Sequence, residues 1–163
     1  LTDFMEITAA LEKDYMDIVN QLFSKIVIPA PILEDETIDN NLGSLQYEEG
    51  TFSGETGYSI FMELGKDSTA NQLSEYDRHV IAIAGESSLL VVSNDKPVRE
   101  ICREYDIEVT GTLGVISSAY ENDLISFAQM EETYKFLFSE DSSCYLSNKL
   151  KKRVYNYYSI ESE

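Results

Sequence analysis

Ile7, Ala10, Leu11, Met16, Ile18, Val19, Leu22 and Phe23 recur at steps of three and four, which predicts helix from Ile7 to Phe23 in two pieces around Lys13-Asp14. Ile26-Val27-Ile28 is a β-branched run closed by Pro29 and predicts a buried strand. Pro31 suits the first turn of a helix carrying Ile32 to Ile38. Between Asp39 and Gly57 the glycines Gly43, Gly50, Gly54 and Gly57 mark the least regular stretch, with a short hairpin expected from Leu45, Tyr47 and Thr51-Phe52. Tyr58 to Leu64 reads as a short helix stopped by Gly65, and Lys66 to Gln72 as a polar linker. Ser74 followed three residues on by Asp77 is a capping-box signature for a helix over Tyr76–Ala84, ended by Gly85. Leu89 to Val92 is a continuous apolar strand, Ser93-Asn94-Asp95 a turn, and Lys96 to Tyr105 a helix. Ile107 to Val109 predicts another strand. Thr110-Gly111-Thr112 opens a helix through Leu113, Val115, Ile116 and Ala119, and two further helical patterns cover Leu124–Phe138 and Cys144–Tyr158.

Short strands, apolar on both faces and alternating with helices, predict an α/β fold with a mainly parallel sheet covered by helices. Ligands of such folds sit beyond the carboxyl ends of the strands, so acids placed just after strands carry the most weight. At 163 residues the chain is expected to form a single domain. The first residue, Leu1, is not Met, so native N-terminal residues are expected to precede it. No apolar stretch approaches the length of a membrane span, and no membrane partner is expected. The two cysteines, Cys102 and Cys144, lack the paired spacing of a zinc site or a disulfide framework. A soluble, cytoplasmic protein with reduced thiols is the expectation.

The net charge of −18, from 12 Lys+Arg against 30 Asp+Glu, argues against nonspecific coating of nucleic acid. It leaves a nucleic-acid substrate open, because divalent cations held by carboxylates invert the sign locally. The one histidine, His79, lies in a helical pattern with no nucleophile near it in sequence, and the glycines do not match phosphate-cradling spacings. What remains is acid placement. Asp3, Asp35, Asp77 and Asp95 all fall at strand-to-helix or helix-start positions, where Asp is also favoured simply as a cap.

Taken together these segments resemble the PIN-domain nucleases, the fold of VapC-type toxin ribonucleases. Leu1-Thr2-Asp3 resembles the end of the family's first strand with its acid. Pro29-Ala30-Pro31-Ile32-Leu33-Glu34-Asp35 is similar to its Pro-x-x-Val-x-x-Glu, and Leu73-Ser74-Glu75-Tyr76-Asp77 to its Leu-Ser-x-Gly-Glu. Val91 to Lys96 resembles the fourth acid segment, and Val109-Thr110-Gly111-Thr112-Leu113-Gly114-Val115 is nearly verbatim for a subgroup with Thr-Gly-Thr-Leu-Gly. The resemblance implies a three-layer α/β/α fold with a mainly parallel central sheet, and Asp3, Asp35, Asp77 and Asp95 as catalytic acids and metal ligands. It also implies Mg²⁺ or Mn²⁺ as cofactor, single-stranded RNA as substrate, and an antitoxin protein or a homodimer contact as partner.

Hard oxygen ligands without His or Cys suit Mg²⁺ or Mn²⁺ over zinc. Ser93, Lys96 and Arg99 beside Asp95 are candidates for substrate contacts, Ser93 and Asn94 being read first as the turn. Lys149, Lys151, Lys152 and Arg153 form the one positive cluster, read equally as an RNA contact or as snorkelling lysines on a packing helix. The leading reading is a metal-dependent endoribonuclease, the toxin of a toxin–antitoxin pair. The alternatives are a catalytically inactive PIN-fold interaction module binding a basic protein partner, and a DNA nuclease of the same chemistry.

Overall fold

The computed structural model describes residues 2–35, 42–66 and 73–161. In chain order these form α1 (Thr2–Leu11), α2 (Tyr15–Leu22), β1 (Val27–Pro29), α3 (Ala30–Leu33), β2 (Glu48–Gly50), α4 (Glu55–Lys66), α5 (Glu75–Ser87), β3 (Val91–Val92), α6 (Lys96–Glu104), β4 (Val109–Thr110), α7 (Thr112–Glu121), α8 (Phe127–Leu137) and α9 (Asn148–Tyr158). They fall into two compact units, Leu1–Leu22 with Leu113–Glu163, and Phe23–Thr112.

The unit of Leu1–Leu22 and Leu113–Glu163 is helical. The predicted break at Lys13-Asp14 is present: α1 ends at Leu11, Glu12 turns with φ 51°, and the Asp14 carboxylate accepts the Asp17 N–H at 3.0 Å to start α2. Ile7, Tyr15, Met130, Tyr134 and Leu137 are fully buried here. The polar tips in this interior are satisfied, as burial demands: Tyr15 hydrogen-bonds Thr133, and the Tyr134 hydroxyl meets Ser117 Oγ at 2.5 Å and donates to the Leu113 carbonyl at 3.2 Å.

The unit of Phe23–Thr112 holds the strands, and every described pairing is parallel: Val27, Ile28 and Pro29 face Glu48, Glu49 and Gly50, while Val91 and Val92 face Val109 and Thr110. Ile60, Leu64, Ile81, Ala84, Val91, Val98, Ile101 and Ile107 form one core between α4, α5, α6 and the β3–β4 pair. The fold is α/β, as the alternation of strands and helices predicts.

Several expectations are corrected. Thr2-Asp3 does not end a strand, because Thr2 to Leu11 is helix, and Leu1 lies outside the described residues. No hairpin forms at Leu45–Phe52; Glu48–Gly50 pairs in parallel with β1 instead. The helix after Pro31 stops at Leu33, and residues 36–38 lie outside the described residues, as do 67–72 of the expected linker. Gly65 and Gly85 do not stop their helices. A Cβ on Gly85 would lie 2.5 Å from Ile60 Cδ1 and one on Gly65 2.8 Å from Arg78 Nη1, so both glycines serve close approach between α4 and α5. The α5 helix runs on to Ser87 and closes at Ser88 in the left-handed conformation, φ 53°. The last helix begins at Asn148, where Ser147 Oγ accepts the Leu150 N–H, rather than at Cys144.

Candidate active site

The carboxyl ends of β3 and β4 are joined into one edge. Val91 N–H donates to the Glu108 carbonyl and Ser93 N–H to the Thr110 carbonyl, both at 2.9 Å, so the two chains leave the ladder side by side. Across the gap Asn94 Nδ2 donates to Thr112 Oγ1 at 2.8 Å, and Thr112 N–H donates back to Asn94 Oδ1 at 3.1 Å. Gly111 makes room for this, since a Cβ there would lie 2.5 Å from Asn94 Oδ1 and 3.3 Å from Arg99 Nη1. Arg99, one turn into α6, donates to the Ser93 carbonyl at 2.9 Å. The Ser93-Asn94-Asp95 turn is therefore held from three sides.

This turn presents Asp95. It occupies the N-cap of α6 in extended conformation, its N–H donates to Ser93 Oγ at 3.1 Å, and its carboxylate makes no capping hydrogen bond. Residue Asp95 is exposed, yet partial burial of its carboxyl and then the charge of Asp77 hold it above the ordinary Asp range. Asp77 belongs to the predicted capping box of α5: its Oδ2 accepts the Ser74 N–H at 2.9 Å and the Ser74 hydroxyl at 2.7 Å, while Ser74 Oγ accepts the Asp77 N–H at 3.1 Å. It caps its helix and at the same time repels Asp95. Two acids predicted from sequence are thus brought into electrostatic contact.

The others are placed differently. Asp35, just after α3, accepts the Tyr76 hydroxyl, a bond that is the first cause of the raised Tyr76 phenol. Since Tyr76 adjoins Asp77, Asp35 is tied to the start of α5. Asp3 lies in the first turn of α1, in the other unit, and accepts a hydrogen bond from Cys144 Sγ at 3.5 Å. Burial and then Asp3's charge push the Cys144 thiol up to about 12. Among the substrate candidates, Ser93 spends its hydroxyl and carbonyl inside the turn and Arg99 one guanidinium nitrogen on it. Lys96 pairs with Glu100 at 3.6 Å on the exposed face of α6. His79 is structural, its Nδ1 on the Glu75 carbonyl at 2.9 Å and its ring between Phe52 and Phe61.

Sequence reasoning treated Asn94 as turn but missed that it locks the two motifs together; an amide directly before an acid that follows a strand was the available signal. It missed Glu86 altogether. From α5 this carboxylate accepts the N–H groups of Ser53 at 3.1 Å, Gly54 at 2.8 Å and Gly57 at 3.1 Å, gathering the start of α4.

Among the described residues no three His, Cys, Asp or Glu side chains gather at metal-holding range, so the expected four-acid set is not assembled there. Asp77 and Asp95 are of the donor type a hard cation takes, carboxylate oxygen, and one or two carboxylates suffice for Mg²⁺ where water and substrate phosphate fill the remaining positions. A cation there would offset the charge of Asp77, the lesser of the two causes, after burial, that raise Asp95.

A family model described as a PIN domain matches residues 10–158. No curated protein and no solved structure matches the chain. No helix among the described residues is long and apolar enough to cross a membrane.

Proposed function

The chain belongs to the PIN-domain family, a family of nucleases, and from that membership and the Asp77–Asp95 pair we propose that it is a divalent-metal-dependent endoribonuclease acting on single-stranded RNA. The observation that carries the reading is the position of Asp95 in the turn beyond the carboxyl end of β3, where an α/β protein binds its ligand, with the charge of Asp77 acting on it. Asp77 and Asp95 would hold Mg²⁺ or Mn²⁺, with Asp35, tied to the start of α5 through Tyr76, as a further acid of the site. The bound ion would supply Lewis-acid activation of the phosphodiester and of the attacking water. The chain's own part is to fix the acids: the Asn94–Thr112 lock sets the Asp95 turn, and Ser74 sets Asp77. A toxin role, neutralised by an antitoxin, extends the reading from the resemblance to VapC-type ribonucleases. The family match spans both compact units, in support of one PIN-like domain.

The test is cleavage of a fluorescent single-stranded RNA and its DNA counterpart by wild type and Asp95→Asn, with Mn²⁺ and with EDTA. Metal-dependent RNA cutting that the substitution abolishes is the expected result. A folded wild type that cuts neither strand would sink the nuclease reading, and cutting of DNA alone would move the substrate. The second reading, a catalytically silent PIN-fold module that binds a basic protein, draws on Asp77 and Asp35 already being engaged by Ser74 and Tyr76.

A further inference from the structure

Beside the acid pair, Lys96 faces Glu100 in an exposed ion pair and Arg99 spends one guanidinium nitrogen on the Ser93 carbonyl. An RNA substrate needs positive charge from elsewhere on a chain of net charge −18. Helix α9, Asn148–Tyr158, carries Lys149, Lys151, Lys152 and Arg153 and no acid. Its two faces divide these residues. Leu150, Val154, Tyr155 and Tyr158 are turned inward, with Tyr155 against Phe138 and Tyr158 against Tyr120 and Tyr134, and Lys151 lies over the Tyr155 ring at 5.3 Å. Lys149, Lys152, Arg153, Asn156 and Tyr157 are exposed, at steps of three and four along one stripe.

Two properties of this stripe point to a ligand. No carboxylate among the described residues lies within ion-pair distance of Lys149, Lys152 or Arg153, although the chain has 30 acids and its described salt bridges use Lys25, Lys96 and Lys135. An aromatic ring closes the stripe at the carboxyl end: Tyr157 is 77% exposed, and its one ring contact among the described residues is edge-on against Tyr158. Cations along a helix face with an open ring at one end are the elements of single-strand recognition, phosphates on the ammonium and guanidinium groups and a base stacked on the ring.

We infer that the exposed stripe Lys149, Lys152, Arg153 and Tyr157 of α9 is an RNA-binding face, which takes the phosphates of a single strand on its three cations and a base on Tyr157. The single-strand substrate class rests on the proposed function; the face itself does not depend on catalysis.

The experiment is fluorescence anisotropy of a labelled single-stranded RNA in EDTA over a series of salt concentrations, so that binding is read without cleavage. Wild type is compared with Lys149→Ala/Lys152→Ala/Arg153→Ala, with Tyr157→Ala and Tyr157→Phe, and with Lys25→Ala/Lys66→Ala/Arg103→Ala, which removes the same charge from other places. The α9 triple variant is expected to lower the salt slope by roughly 2, at about 0.7 for each single-strand phosphate that is no longer neutralised, and the control triple to leave it near wild type. Tyr157→Ala is expected to weaken binding about fivefold or more, the loss of one stacked base, and Tyr157→Phe to restore it. The substituted α9 positions are exposed, and circular dichroism is used to check the folding of each variant; if the triple fails to fold, Lys152→Glu alone serves. Equal loss in both triples, or wild-type affinity and slope in the α9 triple, overturns the face. Absence of RNA binding by wild type overturns it too, as does an α9-dependent affinity for anionic phosphatidylserine vesicles with none for RNA. Cleavage is scored separately: RNA cut by wild type while the α9 triple binds normally overturns the face and leaves the nuclease reading standing.

Discussion

Asn94 and Thr112 hold each other twice, amide to hydroxyl at 2.8 Å and backbone N–H to amide oxygen at 3.1 Å, and so lock the turn after β3 to the turn after β4. Thr112 is 3% exposed, so the two hydrogen bonds from Asn94 help satisfy polar groups that burial removes from water. The placement of Asp95, next along the chain, depends on this lock. The Ser-Asn-Asp and Thr-Gly-Thr segments are thus one structural unit, although 18 residues separate Asn94 from Thr112.

Removing either half of the lock is expected to destabilise the fold, and the two losses are expected not to add. Asn94→Ala removes the acceptor of the Thr112 N–H and a donor to its hydroxyl oxygen, costing about 1–3 kcal/mol. Gly111→Ala puts a methyl 2.5 Å from Asn94 Oδ1, at about 1–3 kcal/mol for overpacking. In the double variant the group that the methyl meets is gone, so the second substitution should cost less, with a coupling of about 0.5–3 kcal/mol. Urea melts of the four proteins measure the cycle, and strict additivity would refute the coupled turns.

Asp95→Asn separates function from stability. Partial burial and then Asp77 raise the Asp95 carboxyl, so between its unfolded value of 3.8 and its higher folded value the native state binds the extra proton. Stability therefore falls as pH rises through that window, and the penalty is complete at neutral pH. The Asn variant is expected to melt at or above wild type at pH 7 in EDTA, with the difference gone below pH 3.8, while binding Mn²⁺ roughly tenfold or more weakly. A lower melting temperature at pH 7 would mean that the charge is held by a partner rather than repelled.

The local signals proved legible where the cause is local. Ser74 and Asp77 form the capping box that their spacing announces, and Leu89–Val92 leads through a turn into a helix at Asp95. Readings failed where the cause is distant in the chain. Gly65 and Gly85 looked like stops because a helix-ending glycine and a close-packing glycine are the same residue in sequence; only Arg78 and Ile60 tell them apart. Glu48–Gly50 shows no strand pattern, since two of its three residues are exposed acids and its partner is β1. Asp3 suited a strand end by resemblance, but the residues after it complete a helix. The α9 cluster left two readings open because its apolar and basic positions interleave in sequence; the helix turns Leu150, Val154, Tyr155 and Tyr158 inward and leaves Lys149, Lys152 and Arg153 exposed.

Glu86 offers the opposite pH dependence to Asp95. Its carboxylate accepts the Ser53 N–H, the largest influence on it, and those of Gly57 and Gly54; against an opposing effect of burial these hold it below the usual value of 4.5. Gly54 and Gly57 are needed for the approach, since a Cβ on either would lie 2.7 Å from Glu86 Oε2. With the folded value depressed, the native state binds fewer protons than the unfolded chain, so this stabilisation is complete above pH 4.5 and is lost as pH falls through the folded value. Glu86→Gln keeps the shape, removes the charge and replaces one acceptor oxygen by a donor. It is expected to lower the melting temperature at pH 7, with the gap to wild type closing as acid protonates Glu86 in the wild type. Amide exchange at Gly54 and Gly57 should accelerate in the variant while amides in the buried Ile81–Ala84 stretch of α5 keep their protection, because the N–H groups released belong to the start of α4. Unchanged exchange at both glycines would show that α4 is held instead by the packing of its Ile60 and Leu64 in the core.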